Sequence, residues 1–364
     1  MQITLSSMFI TLAVCSILIL LFYLVITNKL NSKFFRIDFL TILIVLILLR
    51  LFIPIELRFT VTIPMPIIMN PISDFINFEV LHGVKILHIL FFIWAFGIFM
   101  NLMMYIKRLV GLRRIERLII ESYKSINVAE IIDGYEGYNY PIYILSDITA
   151  PMVLGFHKII LLPNTPFSEK ELNNIILHEI YHIKTHDIYL KQFIKIITVI
   201  YWWFPPIYLL QREIDLFLEL RADSKVTKSL SHYESLDYAE TLIAVQRKVS
   251  LENPSVKLFS TCLLSENKKV LSYRINYLME GNFQKRTNKL VLIALLIVPI
   301  LSNSIILEAA YYDAPIVEGT FGQNKFEYII HHKDGSYSLV IDGESVEFNN
   351  IDDPAFSGIK IIEE

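Results

Sequence analysis

Ser168-Glu169-Lys170-Glu171-Leu172-Asn173-Asn174-Ile175-Ile176-Leu177-His178-Glu179-Ile180-Tyr181-His182 joins a helix-start signal to a metal-binding spacing. Ser168 followed three residues later by Glu171 is a capping box, in which each side chain satisfies the other's backbone N–H, so a helix begins here and holds the motif in its interior. Within it, His178-Glu179-x-x-His182 matches H-E-x-x-H. At i and i+4 the two imidazoles share one helix face and can hold a single Zn²⁺, while Glu179 beside them can take a proton from the attacking water. In a chain with nine histidines the pattern arises by chance in about one chain in a hundred, so its surroundings must decide.

A catalytic zinc needs a third protein ligand, and the stretch from Arg212 to Asp223 is rich in candidates. Glu219 and Asp223 lie four apart and are co-facial on a helix, which suits Glu219 as ligand and Asp223 as an acceptor orienting an imidazole N–H. Glu213 and Asp215 compete for the ligand role and read as a solvated helix face. Cys15 and Cys262 are the only cysteines, far apart in the chain, and supply neither a disulfide framework nor a cysteine zinc site.

Between the two halves of this site, Phe193 to Leu210 is almost wholly apolar and contains Trp202, Trp203 and Pro205-Pro206. A single crossing of the membrane would put Glu219 and His178 on opposite sides, so the segment must lie in or re-enter the cytoplasmic face. We expect a membrane-associated helix over 188–210 with its Trp pair at the headgroups. At 1.5 Å per residue, Pro205 lies about 34 Å beyond His182 but Glu219 returns only about 21 Å, so the motif helix should break near Thr185-His186-Asp187.

The rest of the chain is apolar: 54% of its 364 residues are hydrophobic and only 19% charged, against about 25% charged in soluble proteins. Four runs are candidate spans: Ile3 to Thr27, Ile37 to Leu57, Val80 to Ile106 and Leu290 to Leu307. Basic residues flank one side of each, namely Lys29, Lys33 and Arg36, then Lys107, Arg108, Arg113, Arg114 and Arg117, then Lys285, Arg286 and Lys289. Those are the cytoplasmic sides. The expected organisation is three transmembrane helices in 1–106, a cytoplasmic metallopeptidase domain in 107–289, a fourth transmembrane helix in 290–307 and a short extracytoplasmic β-rich tail in 308–364. The N-terminus and the tail both face outward. The lipid bilayer is thus one partner, and a net charge of −3 gives no basic footprint for direct nucleic-acid binding.

Upstream of the motif, Ile142 to Ser146 and Lys158 to Leu162 read as short strands of a hairpin. An edge strand beside a zinc site can take an extended peptide by β-addition, and Ile142, Ile144 and Ser146 are the candidate substrate edge.

Together these features resemble the BlaR/MecR-type antirepressor membrane metallopeptidases, over roughly residues 1 to 308. The matching residues are Ser146, Pro151, Gly155 and Pro163, His178-Glu179-x-x-His182 with Asp187, Tyr201-Trp202-Trp203-x-Pro205, and Glu219-x-x-x-Asp223. The resemblance implies an α+β gluzincin-type domain, zinc on His178, His182 and Glu219, Glu179 as base, and Asp187 with Asp223 behind the ligands. It further implies an outer signal, self-cleavage in the cytoplasmic stretch before the last span, and proteolysis of a winged-helix repressor. The departure is the tail, where 56 residues follow Glu308 in place of a penicillin-binding domain. Ser357-Gly358-Ile359-Lys360 matches S-x-x-K without room for a fold around it, so no covalent β-lactam adduct is expected. The tail alternates as a small β-meander over 326–330, 336–341 and 345–348. Rival readings are a housekeeping membrane protease of the HtpX or CAAX-processing type and a non-catalytic receptor, against which the intact Glu179 argues.

Overall fold

The computed structural model describes residues 5–27, 36–52, 61–251, 268–280, 287–310, 328–341, 344–348 and 360–363, apart from positions 82, 147, 149, 156, 229 and 334. Two helices among them are long and apolar enough to cross a membrane, α1 (Leu5–Thr27) and α4 (Ile86–Ser122). The helix α2 (Ile37–Phe52) is as apolar but has 16 residues, short of the roughly 20 that a bilayer takes. After it come β1 (Val61–Pro64), α3 (Pro66–Asn77) and the ribbon of β2 (Glu79–Leu81) and β3 (Val84–Lys85). The ribbon occupies the start of the run expected to span from Val80. The 37 residues of α4 measure about 55 Å, far beyond a hydrocarbon core of about 30 Å. The boundary expected at 106/107 therefore falls inside a continuous helix, whose basic second half projects beyond its apolar first half.

That projection carries one side of a sheet. β4 (Ile126–Asn127), α5 (Val128–Ile131), β5 (Pro141–Leu145), β6 (Met152–Leu154) and β7 (Ile159–Pro163) follow, and the strands lie in the order β4-β5-β7-β6. β5 pairs parallel with β7, from Ile142↔Ile160 to Leu145↔Pro163, while β6 runs antiparallel to β7. Ile142, Ile160 and Leu162 face Ile175, Ile176, Ile180 and Ile183 of α6 (Glu169–Lys184). Tyr143, Leu145, Ile159 and Leu161 face Ile119, Leu112 and Ile115 of α4. Burial on both faces explains why Ile159-Ile160-Leu161-Leu162 is uniformly apolar rather than alternating. The expected hairpin is corrected: β5 is an inner strand, Ile142 is fully buried in the core, and Ser146 is an exposed turn residue. β6 is an edge.

α6 starts on the capping box, with the Ser168 N–H donating to Glu171 Oε2 at 2.7 Å and the Glu171 N–H to Ser168 Oγ at 3.3 Å. It ends at Thr185, and His186 takes a left-handed φ of 58° before α7 (Asp187–Ile200) sets off in a new direction. The 188–210 segment is two helices rather than one, α7 and α8 (Pro206–Thr227), joined by a turn through Tyr201 to Pro205. Contacts far away in the chain hold that turn. The Trp94 Nε1–H donates to the Ile200 carbonyl at 3.0 Å, the Trp202 Nε1–H to the Trp94 carbonyl at 3.3 Å, and the Tyr201 hydroxyl to the Leu51 carbonyl at 2.7 Å. Gly97 makes room, because a Cβ there would overlap the Trp202 ring. The Trp202 ring is thus packed against the apolar half of α4.

α9 (His232–Leu251) and α10 (Lys268–Glu280) pack on α8, α11 (Lys289–Asn303) packs on α2, and β8 (Ile305–Glu308) pairs parallel with β1. The run expected to span to Leu307 therefore leaves the helix at Asn303, with the β-branched Ile305 and Ile306 in strand. Residues 309–364 form a second unit. In it β9 (Tyr328–His331), β10 (Tyr337–Ile341), β11 (Glu344–Phe348) and β12 (Lys360–Glu363) make a sheet ordered β11-β10-β9-β12. β10 is antiparallel to both neighbours, and β12 adds a parallel strand to the expected meander. Ser357 and the patch from Gly281 to Arg286 lie outside the described residues.

Candidate metal centre

α6 presents His178 and His182 on one face, and α8 crosses it to present Glu219. His178 Nε2 and His182 Nε2 are 3.0 Å apart, Glu219 Oε2 is 3.3 Å from the first, and Glu219 Oε1 is 3.6 Å from the second. Atoms held about 2.0–2.1 Å from a tetrahedral zinc stand about 3.3–3.4 Å from one another. The three donors therefore already have the spacing of three corners of such a site. Among the described residues, they are the group of histidine and carboxylate ligands that can hold a metal ion. Glu213 instead pairs with Arg212 at 2.7 Å, and Asp215 faces Lys191 at 4.0 Å, so neither competitor joins the cluster.

Each imidazole is oriented through its other nitrogen. His178 Nδ1 lies 2.8 Å from the Tyr238 hydroxyl and 3.2 Å from Asp223 Oδ1, and that hydroxyl donates to Asp223 Oδ1 at 2.7 Å. His182 Nδ1 lies 2.7 Å from Asp187 Oδ2. With the proton on Nδ1 in both rings, the Nε2 lone pairs converge on the same point as Glu219. Asp187 is fixed in turn by Thr185 at 2.7 Å and by Arg221. Asp223 is fixed by Arg274 of α10, whose Nε and Nη2 donate at 2.7 and 2.8 Å, and Arg274 Nη1 also reaches Glu219 at 3.4 Å. Tyr238, Arg274, Thr185 and Arg221 escaped the sequence reading. The first two come from helices remote in the chain with no diagnostic spacing. Arg221 stood in view between Glu219 and Asp223.

The charges follow the same arrangement. Burial pulls His182 downward, but the Glu219 carboxylate and the Asp187 hydrogen bond outweigh it and lift the imidazole to about 10. Burial raises Glu219, but His182 beside it and the hydrogen bond from His178 hold its carboxyl well below the usual range. Asp223 is also held below its ordinary value, since Arg274 overcomes the cost of burial. Glu179 is the exception: burial pushes it upward, and the neighbouring histidines only partly offset this. Glu179 is thus a buried carboxyl beside the candidate ligands, more basic than a free one, the direction that suits a proton acceptor.

A cavity of about 1020 Å³ opens over the centre, lined by His178, Glu179, His182 and Glu219 on its helix side and by Met152, Val153 and Leu154 of β6 on the other. The edge strand at the site is therefore β6. The Ile142, Ile144 and Ser146 stretch is not at the cavity.

An H-E-x-x-H helix packed on a small sheet, with a carboxylate from a following helix completing the ligand set, defines a metallopeptidase-type centre. The chain belongs to the BlaR1 peptidase M56 family, whose match covers residues 3–278. It is 25% identical over 287 residues to the methicillin resistance mecR1 proteins of Staphylococcus aureus and Staphylococcus epidermidis, a match covering 75% of this chain and 47% of theirs. It is also similar to the regulatory protein BlaR1 of Bacillus licheniformis, 28% identical over 130 residues, covering 35% of this chain and 20% of that one. The matched region thus spans about half the length of the mecR1 relatives or less.

Proposed function

We propose that this chain is a membrane-embedded zinc metalloendopeptidase of signal transduction, an antirepressor that hydrolyses peptide bonds in itself, in a cytoplasmic winged-helix repressor, or in both, after an outer signal. The observation that carries this reading is the convergence of His178, His182 and Glu219 beside a buried Glu179, in a chain of the BlaR1 peptidase family. Those three residues would hold the ion, which when bound supplies a Lewis acid for the scissile carbonyl and the attacking water. Glu179 accepts the proton of that water and returns it to the leaving amine nitrogen. Asp223 and Tyr238 behind His178, and Asp187 behind His182, keep the ring protons away from the metal side. β6 offers its open edge to an extended peptide, which would pair along it by β-addition.

In this reading α1, α2, α4 and α11 are the four spans, with the N-terminus and the β-rich tail outside and the metal centre cytoplasmic. The α7–α8 hairpin re-enters the membrane: its turn packs at Trp94 and Gly97, well inside the apolar half of α4. Backbone carbonyls of the turn are satisfied there, Ile200 by the Trp94 Nε1–H, Tyr201 by the Phe204 N–H and Trp202 by the Tyr208 hydroxyl, as non-helical backbone at that depth requires. Self-cleavage belongs between residues 265 and 289, the stretch that joins the peptidase segment to the last span.

Sequencing of new protein N-termini in cells carrying wild type or Glu179→Ala tests the reading. A cut between residues 265 and 289, or in a repressor, that depends on Glu179 supports it; identical N-termini in both strains would refute it.

A further inference from the structure

The turn that follows the β6 edge closes on a buried carboxylate from the long helix α4. Glu116 is only 2% exposed. Its Oε1 accepts from the His157 backbone N–H at 3.2 Å and lies 3.1 Å from His157 Nδ1. The β6–β7 turn wraps round it, and Gly155 has a φ of +67°, with the carboxylate filling the space a Cβ would need. A glycine is required here twice over, for the left-handed backbone and for the close approach. One turn to either side on α4, Leu112 and Ile119 pack against the sheet face that includes Leu154. Glu116 also lines the same cavity as His178 and Glu179.

From this geometry we propose that Glu116 is a positioning residue for the peptidase reaction: it clamps the β6–β7 turn to α4 and thereby sets the height of the β6 edge above the metal centre. The inference rests on the peptidase reading given above and adds a residue that touches neither metal nor reacting atoms. On its open edge β6 has no strand neighbour among the described residues, β7 lying on the other side. The clamp sits on the same continuous helix as the apolar run from Ile86 to Ile106.

The test uses the full-length, metal-loaded chain in lipid nanodiscs, with two substrates that share a scissile bond: a peptide long enough to pair along all of β6, and a blocked dipeptide that cannot reach it. Glu116→Ala should raise KM for the long peptide about tenfold, the value of one or two backbone hydrogen bonds, and leave kcat unchanged. The dipeptide should be cleaved as by wild type, and metal content should not change. Glu116→Gln keeps the accepting oxygen and should restore the long-peptide KM. Hydrogen exchange gives a second readout, in which Glu116→Ala speeds exchange over 152–157 but not over 175–184. Equal losses on both substrates, or unchanged KM with unchanged exchange, would overturn the proposal. If the wild type cleaved neither substrate, the peptidase reading would fall, and the exchange measurement alone would decide whether the clamp exists.

Discussion

On the helix wall of the cavity, every candidate ligand has a side-chain partner. His178 is held by Tyr238 and Asp223, His182 by Asp187, and Glu219 by Arg274, and those partners are themselves bound by Thr185, Arg221 and Arg274. On the strand wall, β6 has three residues and one neighbouring strand, with Val153 packed toward α6, Leu154 toward α4 and the Glu116 carboxylate behind its turn. The difference teaches that the two jobs ask for different stiffness. A metal site tolerates displacements of only a few tenths of an ångström in its donors, whereas a peptide-binding edge must admit different side chains and can be shifted as a unit.

The largest effect should come from breaking the stiff wall at a ligand. Glu219→Ala should weaken metal retention by about 100-fold or more, since loss of even an outer hydrogen-bond partner costs about 10–100-fold. Glu213→Ala should leave retention at the wild-type level. Metal content after competition with a chelator measures both, and equal retention would move the third ligand elsewhere.

Next in size, Tyr238→Phe removes the hydroxyl between His178 and Asp223 and should weaken metal binding by about tenfold. An unchanged affinity would mean that Asp223 orients His178 without the tyrosine, which sharpens the picture of how redundant this wall is.

The same wall predicts a pH dependence. Without metal, His182 holds its proton up to about 10, so an entering ion must displace it. Metal affinity should therefore rise with pH through the neutral range, by about tenfold per unit for each proton released, and level off near that value. For the metal-free fold the sign is opposite. A raised histidine contributes stability below its ordinary value near 6.5 and loses it as the pH climbs through about 10. Metal titrations and thermal midpoints at several pH values check the two signs.

The smallest effect lies outside both walls, at the cap of α6. Burial raises Glu171, but Lys248 and Ser168 outweigh it and hold the carboxyl below 4.5. Its contribution is present above that ordinary value and lost as the pH falls through the depressed one. Glu171→Gln should cost about 1 kcal/mol at neutral pH and nothing in acid, read by thermal unfolding at both.

What could be read before the structure was local. The cap, the i, i+4 histidines and the Glu219/Asp223 spacing are properties of single helices, and the helix break at Thr185–Asp187 came from length arithmetic. The features that escaped depend on distant partners. The turn at Tyr201–Pro205 is stabilised by Trp94 and Leu51, more than a hundred residues away, so an apolar stretch read alone looked like one helix. Likewise, the parallel pairing of β5 with β7 puts Ile142 inside and β6 at the edge, an order that alternation cannot reveal. Tyr238, Arg274 and Glu116 carry no periodic signal at all.

The most direct test of the central claim is hydrolysis of a peptide by the purified, metal-loaded full-length chain, wild type against Glu179→Gln, with metal content measured on the same samples. The account predicts that the variant keeps its metal and loses about 10²–10⁴-fold in kcat, the worth of a positioned general base. A variant with full metal content and the wild-type rate would contradict it.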